Sequence, residues 1–274
     1  MRSLKQPGKN LNKSVRLCAP KTKGKQMKTV TTTSTTLTSQ PTVGDLRSRT
    51  MRVILATAAA LLMVASTLAL DRCQGNPNPG VHPPQSKPYG RSYGQWAATY
   101  WQWLLSFPAD KSPSFEEGDV VYGSQHQSGP VWILETGNSG VWHRNVHVPA
   151  GKAILFSVTG AEADTLALPG ATPQDLLDAV TAPYNELTIL PFAEVDGVPL
   201  QDLEAYLVTS PLFEVTVADP GLFGQPGGTG QAMAKGWFFV LAPLSKGHHT
   251  LRVSYHVVEL PSIDGDTSYN LTVE

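Results

Sequence analysis

The sequence has very few cysteines, and this limits the folds that it can adopt. Cys18 and Cys73 are the only two among 274 residues, so residues 71–274 contain one cysteine and cannot form an internal disulfide. A glycine loop of the phosphate-binding type is also missing, because "GQPGGTG" is not followed by Lys and Ser or Thr at the start of a helix. Stability must therefore come from a hydrophobic core, for which about 200 residues are enough.

Positive charge is scarce after the first fifty residues. Residues 1–52 contain twelve Lys and Arg and one acidic residue, whereas residues 71–274 contain nine basic and twenty-one acidic residues. Because nucleic-acid binding favours a basic face, this balance argues against nucleic acid as a partner. The basic segment 1–52 has no apolar periodicity and cannot build a core. It is either a disordered tail or an over-extended start, with Met51 as the true first residue.

The apolar segment 53–70 contains no charge and directly follows Arg52. A positive start, an apolar centre and small residues near the end are typical of a secretory signal peptide. The length also reaches the lower limit for an uncleaved membrane anchor. Both interpretations predict an extracytoplasmic protein, which is secreted, periplasmic or at the cell surface. Contact with a membrane is expected only through 53–70, if that segment is not cleaved.

The remaining sequence predicts a single domain over 92–274, preceded by a linker rich in Pro, Gly and Asn over 71–91. Short β-branched and aromatic runs, separated by Gly and Pro turns, predict eight or more strands. The fold class is therefore mainly β, as an antiparallel β-sandwich or jelly-roll. An N-terminal Trp-rich helix over 93–106 and one further short helix over 172–182 complete it. The glycine-rich stretch 219–232 is expected to be a mobile loop.

Three motifs follow one another in the predicted domain: "YGQWAATYWQW" (93–103), "GSQHQSGPVWIL" (123–134) and "VPAGKAILFSV" (148–158). This order resembles a family of secreted bacterial proteins of unknown function, in which a YGxWxxxWWQW-type helix precedes QSGPVWFL-type and VPAGKALFFPV-type strands. The resemblance covers about residues 89–274 and implies a β-rich extracytoplasmic domain, but no activity. The family pattern contains two cysteines, and Tyr122 or Gly123 and His147 occupy their places here. The disulfide that the resemblance implies is therefore missing.

The aromatic residues of the predicted helix form a wide apolar arc. One interpretation is that the helix packs on the sheet, where each ring removes about 150–250 Å² from water. The other is that some rings, Trp101 first among them, form a platform for a sugar or another flat ligand. On that hypothesis the candidate ligand-binding residues are Tyr93, Trp101, Trp103, Trp132 and Trp142.

A second candidate site involves imidazoles and carboxylates, which are ligands for zinc, copper or calcium. His143 and His147 share one face of a predicted strand, and His126 precedes the neighbouring strand. Glu162 and Asp164 follow the next strand. The spacing matches no known metal signature, and the alternative is a polar, solvent-facing surface. The sequence therefore predicts no cofactor, with a metal ion as the minor alternative.

Three hypotheses for function stay open. The leading one is a non-catalytic β-sandwich that binds a polysaccharide or another cell-envelope component. The second is a hydrolase that uses a metal ion or two carboxylates. The third is a structural surface or matrix protein. Its terminal strand "YNLTV" could drive assembly if that strand lay unpaired at a sheet edge.

Overall fold

The computed structural model describes residue 78 and residues 80–274. The predicted tail 1–52 and the apolar segment 53–70 lie outside the described residues. Neither helix in the described part has the length and apolar composition needed to cross a membrane.

Two β-sheets make up most of the described structure, which confirms the predicted mainly-β fold. The six-stranded sheet has the order β1 (Gly118–Asp119), β3 (Gly140–Val148), β11 (Gly265–Val273), β10 (Gly247–Val257), β5 (Ile189–Val195) and β6 (Val198–Pro199). The five-stranded sheet has the order β2 (Val131–Leu134), β4 (Ala153–Asp164), β9 (Gly228–Leu241) and β7 (Leu207–Thr209), and β8 (Phe213–Val217) also pairs with β9.

Strand direction differs from the antiparallel pattern that was predicted. Strand β3 pairs in parallel with both β1 and β11, and β2 pairs in parallel with β4. The strands β2, β3 and β4 follow one another in sequence but alternate between the two sheets. Such a path provides the long crossover that parallel pairing requires. The strand "YNLTV" is part of β11, which lies inside the sheet between β3 and β10 and is not the unpaired edge that assembly would need.

The Trp-rich segment forms helix α1 (Tyr93–Leu104), as predicted. The Ser92 hydroxyl accepts a hydrogen bond from the backbone N–H of Gln95, and the Gln95 side chain accepts one from the backbone N–H of Ser92. This capping box fixes the first turn. The helix ends shortly before Pro108, whose ring cannot continue it.

A second helix, α2 (Pro173–Glu186), extends four residues beyond the predicted end at 182. It packs on β4 and β9, where Leu176 and Val180 are buried against Ala163 and Met233. The added turn has its own contact with the sheet, because the Tyr184 ring lies 5.4 Å from that of Trp237 and its hydroxyl donates to the Lys235 carbonyl at 2.8 Å.

The five-stranded sheet is covered on both faces. In β9, Phe238 contacts Tyr100 of α1, whereas the next residue, Phe239, stacks on Phe156. Successive side chains of a strand point to opposite faces, so α1 covers one face only. Strand β4 also contacts β5 and β10 of the six-stranded sheet. One continuous hydrophobic core therefore includes α1 and both sheets.

Two boundaries differ from the predictions. Part of the predicted linker packs on the domain, because Val81 bridges Leu241 and is only 2% exposed. Burial of the apolar Val81 side chain is more favourable than its exposure to water in an extended linker. The stretch 219–232 is a loop only up to Gly227, because residues from Gly228 onward pair as the start of β9.

Candidate functional site

A cavity of about 120 Å³ lies beside Glu135, the residue that follows β2. We call it the Glu135 cavity. Six segments line it: α1, the turn that contains Ser114, the turn after β2, the middle of β4, β10, and the loop between β8 and β9. The side chains with chemical or aromatic character are Tyr100, Trp101, Glu135, Ser157, Thr159, Phe223 and Tyr255.

The Glu135 carboxyl group is 7% exposed and is held from two sides. The Tyr100 hydroxyl donates a hydrogen bond to Oε2, and the Ser114 hydroxyl donates one to Oε1 at 2.9 Å. Burial raises the pKa of the Glu135 carboxyl, while the bond from Tyr100 and the charge of Arg144 oppose that rise. The same burial, with the Glu135 charge second, raises the pKa of Tyr100 well above its ordinary value, so the phenol stays neutral.

Arg144 supplies a buried positive charge directly behind the cavity. Its side chain is on the inner face of β3 and is 1% exposed. The guanidinium donates to the backbone carbonyls of Glu135, Ser114 (3.2 Å) and Glu116 (2.9 Å). The Tyr269 hydroxyl donates to the same carbonyl of Glu135. Arg144 thus places a buried positive charge near the Glu135 carboxyl, and this charge opposes the effect of burial on the pKa of that carboxyl.

One wall of the cavity depends on a break in strand pairing. The register between β4 and β9 shifts between Ser157 and Gly160. A side-chain carbon at Gly160 would lie 3.6 Å from Trp101 Cζ2 and 3.3 Å from a backbone oxygen of Lys235. The Trp101 indole therefore lies directly over Gly160 beside the cavity, and the tighter limit on a side chain at this position is the Lys235 backbone oxygen.

An exposed aromatic ring stands at the rim. Phe223 is 61% exposed, and its ring centre lies 6.2 Å from that of Trp101. It belongs to the loop between β8 and β9, which is anchored by the backbone bonds Ala218 N–H to Leu105 C=O and Ala109 N–H to Pro220 C=O. The cavity is thus bordered by a large apolar side chain that has little packing of its own.

A shallower groove of about 400 Å³ runs along the other side of α1. It is bordered by Trp96 and Trp103, but both indole N–H groups already donate to backbone carbonyls, at 2.9 and 3.1 Å. His126 also lines this groove, where its ring stacks on Phe107 at 4.6 Å and contacts the Ser106 hydroxyl at 3.1 Å. The groove has a mixed polar and apolar lining, and Arg91 lies over the Trp96 ring at 5.1 Å from its centre.

The structure buries most of the predicted ligand-binding aromatic residues. Tyr93, Trp101, Trp103 and Trp132 are each less than 9% exposed, whereas Trp142 is half-buried. The packing interpretation of the α1 rings is therefore confirmed, and Trp101 is not exposed. Trp101 still borders the Glu135 cavity and Trp103 borders the groove.

The five predicted metal-binding residues do not come together. His126 lies beside α1, His143 and His147 lie on the exposed face of β3, and Glu162 and Asp164 belong to β4 in the other sheet. Strands β3 and β4 are consecutive in sequence, but they belong to different sheets. Within residues 78 and 80–274, His, Cys, Asp and Glu side chains form no group of three that could hold a metal ion.

The sequence analysis did not identify Glu135, Arg144, Tyr255 or Phe223. A signal existed for the first two residues. Glu135 directly follows the fully buried run "VWIL", and Arg144 alternates with Val146 and Val148 on the inner face of β3. A charged residue at a position of core periodicity indicates a buried polar contact. No pattern in the sequence places Phe223 near Trp101.

Comparisons with known proteins give limited information. No protein-family profile matches the chain, and no curated protein is significantly similar to it. The chain is similar to the solved structures of PbICP-C in complex with falcipain-2 (12% identity, TM-score 0.23, covering 52% of this chain and 98% of that one), of the cysteine protease inhibitor EhICP2 from Entamoeba histolytica (10%, 0.21, 52% and 93%) and of amebosin (12%, 0.22, 53% and 100%). These TM-scores are too low to carry a functional inference. The resemblance to the family of secreted bacterial proteins stays a prediction.

Proposed function

We propose that this protein is a non-catalytic binding module and that its ligand is a carbohydrate, held in the Glu135 cavity. The observation that supports this function is a buried carboxyl group in a cavity bordered by four aromatic rings. Small-molecule sites typically combine apolar and aromatic walls with a few placed polar groups. The proposed location remains extracytoplasmic, where cell-envelope polysaccharides would supply such a ligand.

The chemistry of the lining favours a sugar. Tyr100, Trp101 and Tyr255 provide aromatic surface for the apolar C–H faces of a sugar ring. The Glu135 carboxyl and the hydroxyl of Thr159 provide hydrogen-bonding partners for its hydroxyl groups.

The charge around the cavity favours an uncharged ligand. Glu135 is the one ionisable acid among the described lining residues, and Arg144 lies directly behind it. A cationic ligand would be repelled by the charge of Arg144, and an anionic ligand would be repelled by the Glu135 carboxyl oxygens. A neutral, hydroxylated molecule meets neither.

The size of the cavity limits how much of a ligand it can hold. A cavity of about 150 Å³ admits one benzene molecule, and this one measures about 120 Å³. It therefore holds only part of a sugar ring, with the remainder of the ligand lying past Phe223 at the rim. A terminal unit of a polysaccharide matches this arrangement.

The same lining argues against the two-carboxylate hydrolase at this cavity. Glycoside hydrolysis generally needs two carboxyl groups about 5–9.5 Å apart, on both sides of the bond that is cleaved. Glu135 has no second acidic residue across the cavity among the described lining residues. Its two oxygens are already engaged by Tyr100 and Ser114. This arrangement supports binding rather than catalysis.

The test is a calorimetric titration of the full chain with glucose, galactose, mannose, N-acetylglucosamine and their oligomers. We expect at least one member to bind, and we expect Phe223→Ala to weaken that binding about 3- to 10-fold through loss of one aromatic contact. Phe192→Ala, on the outer face of β5, is the matched control and should bind normally. If no member of the panel binds, or if Phe223→Ala and Phe192→Ala bind equally well, the proposed function is wrong.

A further inference from the structure

Three buried polar atoms near the Glu135 cavity lack a hydrogen-bond partner among the described residues. They are Trp101 Nε1, Glu162 Oε1 and Asp164 Oδ2. Trp101 is 6% exposed and Asp164 is 1% exposed. Most buried polar groups in native proteins are paired. One unpaired donor and two unpaired acceptors in a single neighbourhood therefore indicate a ligand group that pairs with them.

The three groups share one side of β4. Gly160, Glu162 and Asp164 oppose Gly236, Ala234 and Ala232 of β9, and their even spacing places them on the same face. The Trp101 indole lies over Gly160, since a side-chain carbon there would be 3.6 Å from Trp101 Cζ2. Trp101 and Gly160 also line the Glu135 cavity. Glu162 and Asp164 thus follow Gly160 along the same face of β4, just beyond the residues that line the cavity.

We propose that Trp101, Glu162 and Asp164 form a polar subsite, continuous with the Glu135 cavity, that binds a hydroxyl group of the ligand. This inference rests on the proposed function and names the part of the sugar that the protein recognises. Trp101 Nε1 donates to the hydroxyl oxygen, and the hydroxyl hydrogen is donated to a carboxyl oxygen.

The chemistry of the three groups selects a hydroxyl over an ion. Asp164 Oδ1 already accepts the backbone N–H groups of Leu166 and Ala167, each at 2.7 Å, and this leaves Oδ2 as the acceptor that faces no donor among the described residues. Two carboxyl groups disfavour a phosphate or a carboxylate. The Trp101 N–H disfavours a cation, because the partly positive hydrogen of the N–H group would point toward the positive ion. A hydroxyl both donates and accepts, so it suits a subsite that offers both kinds of partner.

The protonation of Glu162 agrees with this assignment. Burial, with the neighbouring charge of Asp164 second, raises the pKa of Glu162 to about 8. At neutral pH Glu162 therefore keeps its proton and can donate a hydrogen bond as well as accept one. No positively charged group contributes to the pKa of Glu162, so an ion pair does not explain its burial.

The experiment uses the full chain and the member of the sugar panel that binds most tightly. Trp101→Phe keeps an aromatic ring but removes the N–H, and Asp164→Asn removes the acceptor charge. We expect each variant to weaken binding about 3- to 10-fold, the usual size of one hydrogen bond. Monodeoxy analogues of the same sugar, each lacking one hydroxyl group, identify the hydroxyl that the subsite binds. The analogue without that hydroxyl should bind wild type and Trp101→Phe with equal affinity. Glu214→Gln, an exposed change on β8, is the control.

The outcomes separate this inference from the proposed function. If the sugar binds wild type, but Trp101→Phe and Asp164→Asn bind it as tightly, the subsite is wrong and the function stands. If no sugar binds wild type, the function itself fails. If CaCl₂ alone raises the unfolding temperature of wild type but not of Asp164→Asn, the carboxyl pair is a cation site and the hydroxyl assignment is overturned. The indole N–H resonance of Trp101 should shift on sugar binding if the inference holds.

Discussion

The Tyr100 hydroxyl donates its hydrogen bond to Oε2 of Glu135, and both side chains are closed to solvent. The bond joins α1 to the turn after β2. It therefore fixes the Trp-rich helix relative to the sheet that forms the opposite wall of the Glu135 cavity. Because a buried carboxylate depends on its few donors, the position of α1 and the charge of Glu135 are linked.

Tyr100→Phe tests that link with a change of one oxygen atom. We expect the free energy of unfolding to fall by about 1–3 kcal/mol, the usual cost of leaving a buried acceptor without its donor. Tyr93→Phe is a matched control, since the Tyr93 hydroxyl donates at 2.6 Å to the neutral carbonyl of His82. It should cost only about 0.5–1.5 kcal/mol. Urea unfolding measures both changes, and equal losses would contradict the assigned role of Glu135.

Arg144→Lys tests whether the geometry of the guanidinium matters as well as its charge. The guanidinium donates to three carbonyls from a rigid fork, which a single ammonium group cannot reproduce. We expect a loss of about 3 kcal/mol, because buried backbone carbonyls lose donors that the ammonium group cannot replace. Arg252→Lys, at the exposed pair with Asp266 (2.6 Å) on the outer face, is the control. It should change stability by less than about 1 kcal/mol. A small effect at Arg144 would contradict the role of the fork.

The fold could be predicted further than the site, and the physical reason is the range of the interactions. The capping box of Ser92 and Gln95, and the alternation of Leu251, Val253 and Val257 in β10, depend on neighbours a few residues apart. The contacts of Glu135 with Tyr100 and Arg144 join residues 35 and 9 positions apart. Such contacts depend on how the sheets pack, which local periodicity does not encode.

The same limit explains the predicted metal site. Alternation placed His143 and His147 correctly on one face of β3, which is the exposed face. It could not show that β3 and β4 belong to different sheets. Alternation in β4 identified Glu162 and Asp164 as a pair. It could not show that Trp101 contacts the same strand at Gly160, because Trp101 lies about sixty residues earlier in the sequence.

The tryptophans provide a third test, because they differ in burial. Trp96 is 5% exposed within the core, whereas Trp142 is half-buried, with its N–H bonded to the Asn138 carbonyl at 2.9 Å. Trp96→Ala should lower the free energy of unfolding by about 3–5 kcal/mol through the cavity that it creates. Trp142→Ala should cost less than half as much, since part of its ring is already in water. Similar losses in guanidinium unfolding would contradict the packing assigned to α1.

Stability should also depend on pH through Glu162. Its pKa is raised from 4.5 to about 8 in the folded chain, first by burial and then by the charge of Asp164. Between these values the folded state holds a proton that the unfolded state has released. The free energy of unfolding therefore falls as pH rises from about 4.5 to about 8, by at most about 5 kcal/mol. Urea unfolding at pH 5, 6.5 and 8 measures this decline.

Glu162→Gln separates this decline from a second one. The hydrogen bond that His249 donates to Asp196 raises the pKa of His249, so that pair also loses stability as pH rises through the pKa of the histidine. A glutamine at 162 resembles the protonated acid at every pH. The variant should match wild type at pH 5 and exceed it at pH 8, with only the His249 contribution left. Glu214→Gln should follow the wild-type profile. If Glu162→Gln follows it too, the buried carboxyl does not hold the proton that its surroundings predict.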